Sequence, residues 1–291
     1  SNESTIGLLP AHESPATSVL HIPEWSMNPN IHRRDDPSSR HLSLVPLAPH
    51  PPLYRYYGDH EARQRFLNEL FNRTASQYRN IDKATGLGSG LWYRRRALRQ
   101  AGLAPGMHVL DVACGPALVS QCAADIVGPS GSVIGLDPSI GMLREARKGQ
   151  CRTLVNGIGE RLPFANESFD FLSMGYALRH LSDLRVAFAE FRRVLKPGGI
   201  VLLLEICRPR SAWLRSLSRF YVKTVLGMAF SASTGNRDMK TLMEYWWDTT
   251  ESCVQPKAVV GALNDAGFSD CSEHAMFSGL LRDYRAVHAR T

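Results

Sequence analysis

Residues with chemical potential gather where short apolar runs end. Asp111 stands near the end of such a run, and Ala113, Gly115 and Pro116 follow before a helical pattern begins at residue 117. A nucleotide-binding fold keeps its glycine loop at this place, although this loop has one glycine where such loops often have three. Asp137 closes the next strand-like run, where an acid can accept both ribose hydroxyls of an adenosine. His180 follows a fourth run and is the residue best placed to take a proton, with an ordinary pKa of about 6.5. Aromatic residues are plentiful: Tyr54, Tyr56, Tyr57, Tyr78, Tyr245, Trp246 and Trp247. Their faces can line an apolar site and shelter a developing cation.

The loop chemistry separates two cofactors. A pyrophosphate needs close backbone approach and a helix N-terminus free of nearby acid, and the Asp111 carboxylate opposes it. A ligand with an ammonium group, a ribose and no phosphate suits the same loop. S-adenosylmethionine has those features and fits better than NAD. Ala113 and Ala117 are small enough for close approach of a nucleoside.

Hydrophobic periodicity supplies the elements that position these groups. Strands are expected at Met107–Ala113, Ser132–Leu136, Thr153–Asn156, Phe169–Met174 and Ile200–Ile206. Helices are expected near 117–126, 139–148 and 183–195. This alternation predicts an α/β fold: a mostly parallel, seven-stranded, Rossmann-like sheet with helices on both faces. Leu195–Gly199 (LKPGG) reads as a turn that stops a helix. The rhythm then breaks for a helical insertion over about 208–252, a lid above the sheet edge. The helix Pro256–Gly267 and strands near 270–277 and 279–288 close the chain.

Ahead of this domain, 105–291, residues 53–104 read as a helical cover, with helices over Asp59–Tyr78 and Ser89–Gly102 joined at Gly86–Gly90 (GLGSG), a simple interhelical turn. Residues 1–52 hold nine of the 17 prolines and five of the ten histidines without periodicity. They read as a flexible tail with no metal site.

The 291-residue chain carries a formal net charge of +7, concentrated in two segments. Residues 53–104 have ten Arg/Lys against four Asp/Glu, and residues 206–223 have five Arg/Lys and no acid. Arg215, Arg219 and Lys223 share one helical face opposite Leu214, Leu217, Tyr221 and Val225. That face is either solvated or, with Arg94, Arg95 or Arg96, a site for an anionic group such as a diphosphate. No apolar run is long enough to span a membrane and no signal sequence is visible. Six scattered cysteines suggest reduced thiols and a cytoplasmic location. An RNA-binding methyltransferase or a silent binding module is the contrasting reading of the charge, but no separate RNA-binding module is evident, so no nucleic-acid partner is expected. A homo-oligomer remains open.

In order and spacing, VLDVACGPA, VIGLDPSIGML, GERLPFANESFD, LRHLSD and RVLKPGGIVLLLE resemble the class I methyltransferases. Within these the chain resembles the ubiquinone/menaquinone biosynthesis C-methyltransferases from about Phe66 onward. The resemblance implies S-adenosylmethionine held by Arg94, Asp111, Ala113, Gly115, Pro116, Asp137, Pro138, Met142, Ile158, Gly159 and Gly175. It implies an apolar small-molecule acceptor near Tyr54, Tyr78, Arg179, Tyr245 and Trp246, with His180 and Tyr57 as catalytic candidates. The tetrad that amine methyltransferases carry after the fourth strand is replaced by MGYALRH, which disfavours amine methylation.

The chain departs from the family pattern at Arg79, at His180 and at Ile158, where relatives have Asp, Asn and often an acid. These departures and the clustered arginines lean the reading toward an isoprenoid diphosphate in terpenoid metabolism. A prenylated phenol or quinone is the alternative.

Overall fold

The structure, a computed structural model, describes residues 19–20, 46–86, 90–149, 151 and 153–290. Apolar segments near the middle of the chain form parallel strands: β2 (His108–Val112), β3 (Ser132–Asp137), β4 (Thr153–Asn156), β5 (Phe169–Gly175) and β6 (Leu195–Ile206). The strands β7 (Phe268–Met276) and β8 (Leu281–His288) add antiparallel pairings to one edge. The order is β4-β3-β2-β5-β6-β8-β7, with a two-residue β1 (Val19–Leu20) parallel to β4 at the far edge. The seven expected strands are therefore present and an eighth joins them. The strand order reverses between the neighbours β2 and β5, so the carboxyl ends of these strands open a crevice where ligands of such sheets bind.

The parallel strands are apolar along their length because helices cover both faces. On one face α6 (Leu184–Val194) and α10 (Pro256–Asp265) bury Phe188, Phe191 and Leu263 with Leu172 and Leu203. On the other, α3 (Gly90–Gln100) and α4 (Leu118–Val127) bury Tyr93, Leu98 and Cys122 against Phe171 and Leu202. The helix α5 (Ile140–Arg147) is capped by Ser139, whose hydroxyl accepts from the Met142 amide at 3.1 Å.

The expected helix over 59–78 is divided. Its parts are α1 (His60–Thr74), a 3₁₀ turn at Ala75–Gln77 and α2 (Tyr78–Gly86). Thr74 accounts for part of the break: its hydroxyl bonds back to the Leu70 carbonyl, which bends helices. The glycine turn after α2 lies partly outside the described residues. LKPGG is not a free turn before the strand. Leu195 pairs with Phe169 and Ile200 with Phe171, so the five residues form an irregular start to β6.

The insertion is α7 (Ala212–Phe220), a π-helical stretch at Tyr221–Leu226, α8 (Gly227–Thr234) and α9 (Asp238–Ser252). It shares a separate core with α1 and α2, built from Leu67, Leu70, Met239, Met243, Tyr245 and Trp247.

Most of residues 1–52 lies outside the described residues, but its end is fixed. The Leu47 amide donates to Asp183 at 3.2 Å, and the Pro49 carbonyl accepts from Val254 at 2.7 Å. The segment read as a tail thus packs onto the body by residue 47. All six cysteines are free, and no helix among the described residues is long and apolar enough to cross a membrane.

Candidate active site

The loop after β2 turns through three left-handed residues: Ala113 (φ 52°), Gly115 (φ 54°) and Ala117 (φ 63°). Such backbone is costly for alanine and is kept where the surroundings over-determine it. Here they do. The Gly115 amide donates to Asp137 Oδ2 at 2.8 Å, and the Ser139 amide to Oδ1 at 2.8 Å. Arg79 Nη2, from α2, donates to the Pro116 carbonyl at 2.8 Å. A Cβ built on Gly115 would meet nothing within 4 Å, so open space lies over the loop.

Asp111 is fully buried and accepts from Ser120 Oγ and from Ser173 Oγ, the latter at 2.7 Å. It braces the loop from beneath, and only its remaining lone pairs are left for an ammonium. Burial pushes the Asp111 and Asp137 carboxyls up to about 6.

The other expected cofactor residues rim the same crevice. Pro138 follows Asp137, and Met142 is buried at the start of α5. Ile158 is 42% exposed beside Gly157, whose amide donates to the Asp137 carbonyl at 3.3 Å. Gly159 packs under Leu181 and Val112, and Gly175 against Val119, where a Cβ would come within 2.6 Å of Cγ2. Arg94 is buried with its guanidinium 5.0 Å from the Tyr176 ring centroid and paired with Asp82. Its Nε has no partner. An open loop, a ribose-ready acid and an under-used guanidinium fit S-adenosylmethionine.

Past β5 the chain forms a second cluster of buried polar and aromatic groups. Arg179 is fully buried, paired with Glu205 at the end of β6, and its guanidinium carbon lies 5.5 Å from the Trp246 ring centroid. Arg179 Nε and Nη2 and Glu205 Oε2 have no partner. His180 stacks on Tyr245 with centroids 5.8 Å apart and meets the edge of Phe71 at 5.1 Å. Neither of its nitrogens has a partner. Burial, then the nearby Arg179, Arg63 and His50, holds its pKa well below 6.5, so the ring is neutral at physiological pH.

Tyr78 lies between the loop after β2 and this cluster. Burial raises its pKa, and it feels the charges of both Arg179 and Asp137.

Other expectations are corrected. Tyr54 is 75% exposed and walls no site. The Tyr57 hydroxyl accepts from the Leu53 amide at 3.3 Å and its ring packs in the cover's core beside Phe66.

Of the cations expected to clamp a diphosphate, Arg94, Arg95, Arg96 and Lys223 already have partners, whereas Arg215 and Arg219 are held in no ion pair among the described residues. Arg94 is paired with Asp82, Arg95 with Asp125 at 2.6 Å, and Lys223 with Asp248 at 2.7 Å, while Arg96 lies over Trp92.

Arg63 and Glu205 escaped the sequence reading. Arg63, buried on α1, donates to the Leu181 carbonyl at 3.0 Å and to Arg179 at 3.3 Å, fixing the loop that carries His180. Its signal was an arginine four residues before Leu67, on the apolar face of α1. For Glu205 it was an acid ending the apolar run VLLLE.

Comparison with known proteins agrees with this geometry. The ubiE/COQ5 methyltransferase family matches residues 59–288. The demethylmenaquinone methyltransferase of Symbiobacterium thermophilum is 30% identical over 240 residues, covering 79% of this chain and 94% of the relative. That of Geobacillus kaustophilus is 30% identical over 219 residues, covering 72% and 92%. Among solved structures, a SAM-dependent methyltransferase from Aquifex aeolicus superposes with a TM-score of 0.53 at 18% identity, covering 74% of this chain and 98% of its own. The Haemonchus contortus phosphoethanolamine N-methyltransferase 2, in complex with S-adenosyl-L-methionine, gives 0.50 at 18%, covering 69% and 53%.

Proposed function

We propose that this chain, which belongs to the ubiE/COQ5 methyltransferase family, methylates a ring carbon of a prenylated hydroquinone or phenol. It is an S-adenosylmethionine-dependent methyltransferase; the acceptor and the residue roles below are our reading. The observation that carries it is the aromatic cluster past β5, in which Phe71 and Tyr245 flank His180 and Trp246 lies against buried Arg179. Flat aromatic walls suit a planar ring, and a buried cation favours the anionic form of its hydroxyl. The demethylmenaquinone methyltransferases named above support the same acceptor class rather than a prenyl diphosphate. The free thiols suit a reducing compartment such as the cytoplasm.

S-adenosylmethionine supplies an electrophilic methyl on sulfur, which departs as a neutral thioether. Asp137 would receive the ribose hydroxyls and Arg94 the carboxylate. Arg179, with Nε and Nη2 free, would hold the acceptor's oxyanion, whose charge makes the neighbouring ring carbon nucleophilic. The ring carbon's electron pair forms the new carbon–carbon bond as the carbon–sulfur bond breaks. That carbon must then lose its hydrogen as a proton to restore aromaticity. Neutral His180 is placed to take it through a ring nitrogen that has no other partner. A weak base suffices, because a dearomatised ring carbon is a strong acid.

The test is mass gain by one methylene. A short-chain prenylated naphthohydroquinone or phenol should gain it with S-adenosylmethionine under reducing conditions. Gain only by geranyl or farnesyl diphosphate would overturn the acceptor.

A further inference from the structure

The inserted helix presents to solvent the face that amphipathicity would bury. Trp213 is 70% exposed, Leu217 55%, Phe220 59% and Met228 56%, with Tyr221 and Val225 also open. Val222 and Leu226 on the opposite side make the contacts with the cover's core. Leu217, Tyr221 and Val225, read from the sequence as the face opposite the arginines, are thus exposed. The π-helical stretch carries Tyr221 and Val225 on the exposed side and Val222 and Leu226 on the packed side.

Charge says what covers this stripe. Residues 206–223 hold Arg208, Arg210, Arg215, Arg219 and Lys223 and no acid. Among the described residues only Lys223 of these is held in an ion pair. Arg219, Lys223 and Lys240, with Glu244 as the one acid, line an open cleft of about 470 Å³ beside Phe220 and Met228, and Glu244 is itself paired with Arg55. A second copy laid on this face by two-fold symmetry would bring these cations together, which is unfavourable. An apolar stripe with tryptophan and phenylalanine, flanked by cations, instead matches a surface that is greasy below and anionic above.

We propose that α7 and the start of α8 form a docking surface for an anionic phospholipid bilayer. The helix lies in the interface, with Trp213, Leu217, Phe220 and Met228 among the acyl chains and Arg208, Arg210 and Arg219 at the phosphates. This goes beyond the acceptor assignment and is read without turnover.

The test is co-sedimentation of the full chain with vesicles of equal parts phosphatidylglycerol and phosphatidylcholine, and with phosphatidylcholine alone. The expected result is binding to the anionic vesicles that is about tenfold tighter than to neutral ones and weakens with salt. The triple variant Trp213→Gln, Leu217→Gln, Phe220→Gln, whose side chains are exposed, should keep its melting temperature and bind about tenfold more weakly. Trp92→Gln, on a residue 53% exposed in α3, should bind like the parent. Absence of binding by the parent, parent-like binding by the triple variant, or equal loss in Trp92→Gln would overturn the proposal. So would lipid-free self-association that the triple variant abolishes, which would assign the face to a second copy.

Discussion

The imidazole of His180 lies 21° from parallel with the ring of Tyr245, and neither of its nitrogens is hydrogen-bonded. His180→Phe therefore removes no hydrogen bond and keeps the stack. Stability at pH 8 should change by less than about 1 kcal/mol, while kcat falls about 100-fold if the imidazole accepts the proton. Denaturant melts and single-turnover rates check both. An unchanged kcat would reduce His180 to packing.

The same substitution isolates a pH effect. An unfolded histidine titrates near 6.5 and this one is held lower, so below 6.5 the unfolded chain binds a proton that the native protein refuses. Its contribution is fully present above 6.5 and is lost as pH falls toward the native value. Parent stability should drop relative to His180→Phe as pH is lowered from about 8 to about 5. Melts at matched ionic strength give the difference.

Asp137 ties Gly115 and Ser139 together with one carboxylate. Asp137→Ala should weaken S-adenosylhomocysteine binding roughly 10- to 100-fold, the range for hydrogen bonds to a charged group. Burial raises this carboxyl to about 6, so its ionised form is lost as pH falls through that value. Parent affinity should decline there and the affinity of Asp137→Asn should not. Calorimetry across the window decides.

The buried pair of Arg179 and Glu205 should be asymmetric to mutation. Glu205→Leu strands a fully buried guanidinium and should cost about 3–5 kcal/mol. The double variant Arg179→Met, Glu205→Leu should recover most of that loss and remain inactive. Urea unfolding of the four-member cycle measures the coupling. Additive losses would mean the two side chains do not act as a pair.

Arg79 reaches from α2 to the Pro116 carbonyl. Arg79→Ala should raise the dissociation constant of S-adenosylhomocysteine about three- to tenfold with a smaller effect on kcat, because it removes one charge-assisted bond beneath the loop. Equal affinity for parent and variant would leave that bond without a role in binding.

What the sequence determined was local. Asp111, Gly115 and Asp137 could be read because a strand, a tight turn and a helix leave period and turn chemistry in neighbouring residues. The mostly parallel sheet with helices on both faces followed because alternating strands and helices permit few architectures. Tertiary structure decided the rest, and each case has a distance in sequence to explain it. Arg63 finds the carbonyl of Leu181, and Arg179 finds Glu205, across gaps that no periodicity spans. Tyr57 and Tyr54 belong to one tyrosine-rich run, yet one is sealed in a core and the other lies in solvent. The inserted helix carries apolar residues on both sides, so its pattern could not say which stripe turns inward. That choice fell to the core of α1, α2 and α9, where Val222 and Leu226 pack and the longer stripe from Trp213 to Met228 is left facing out.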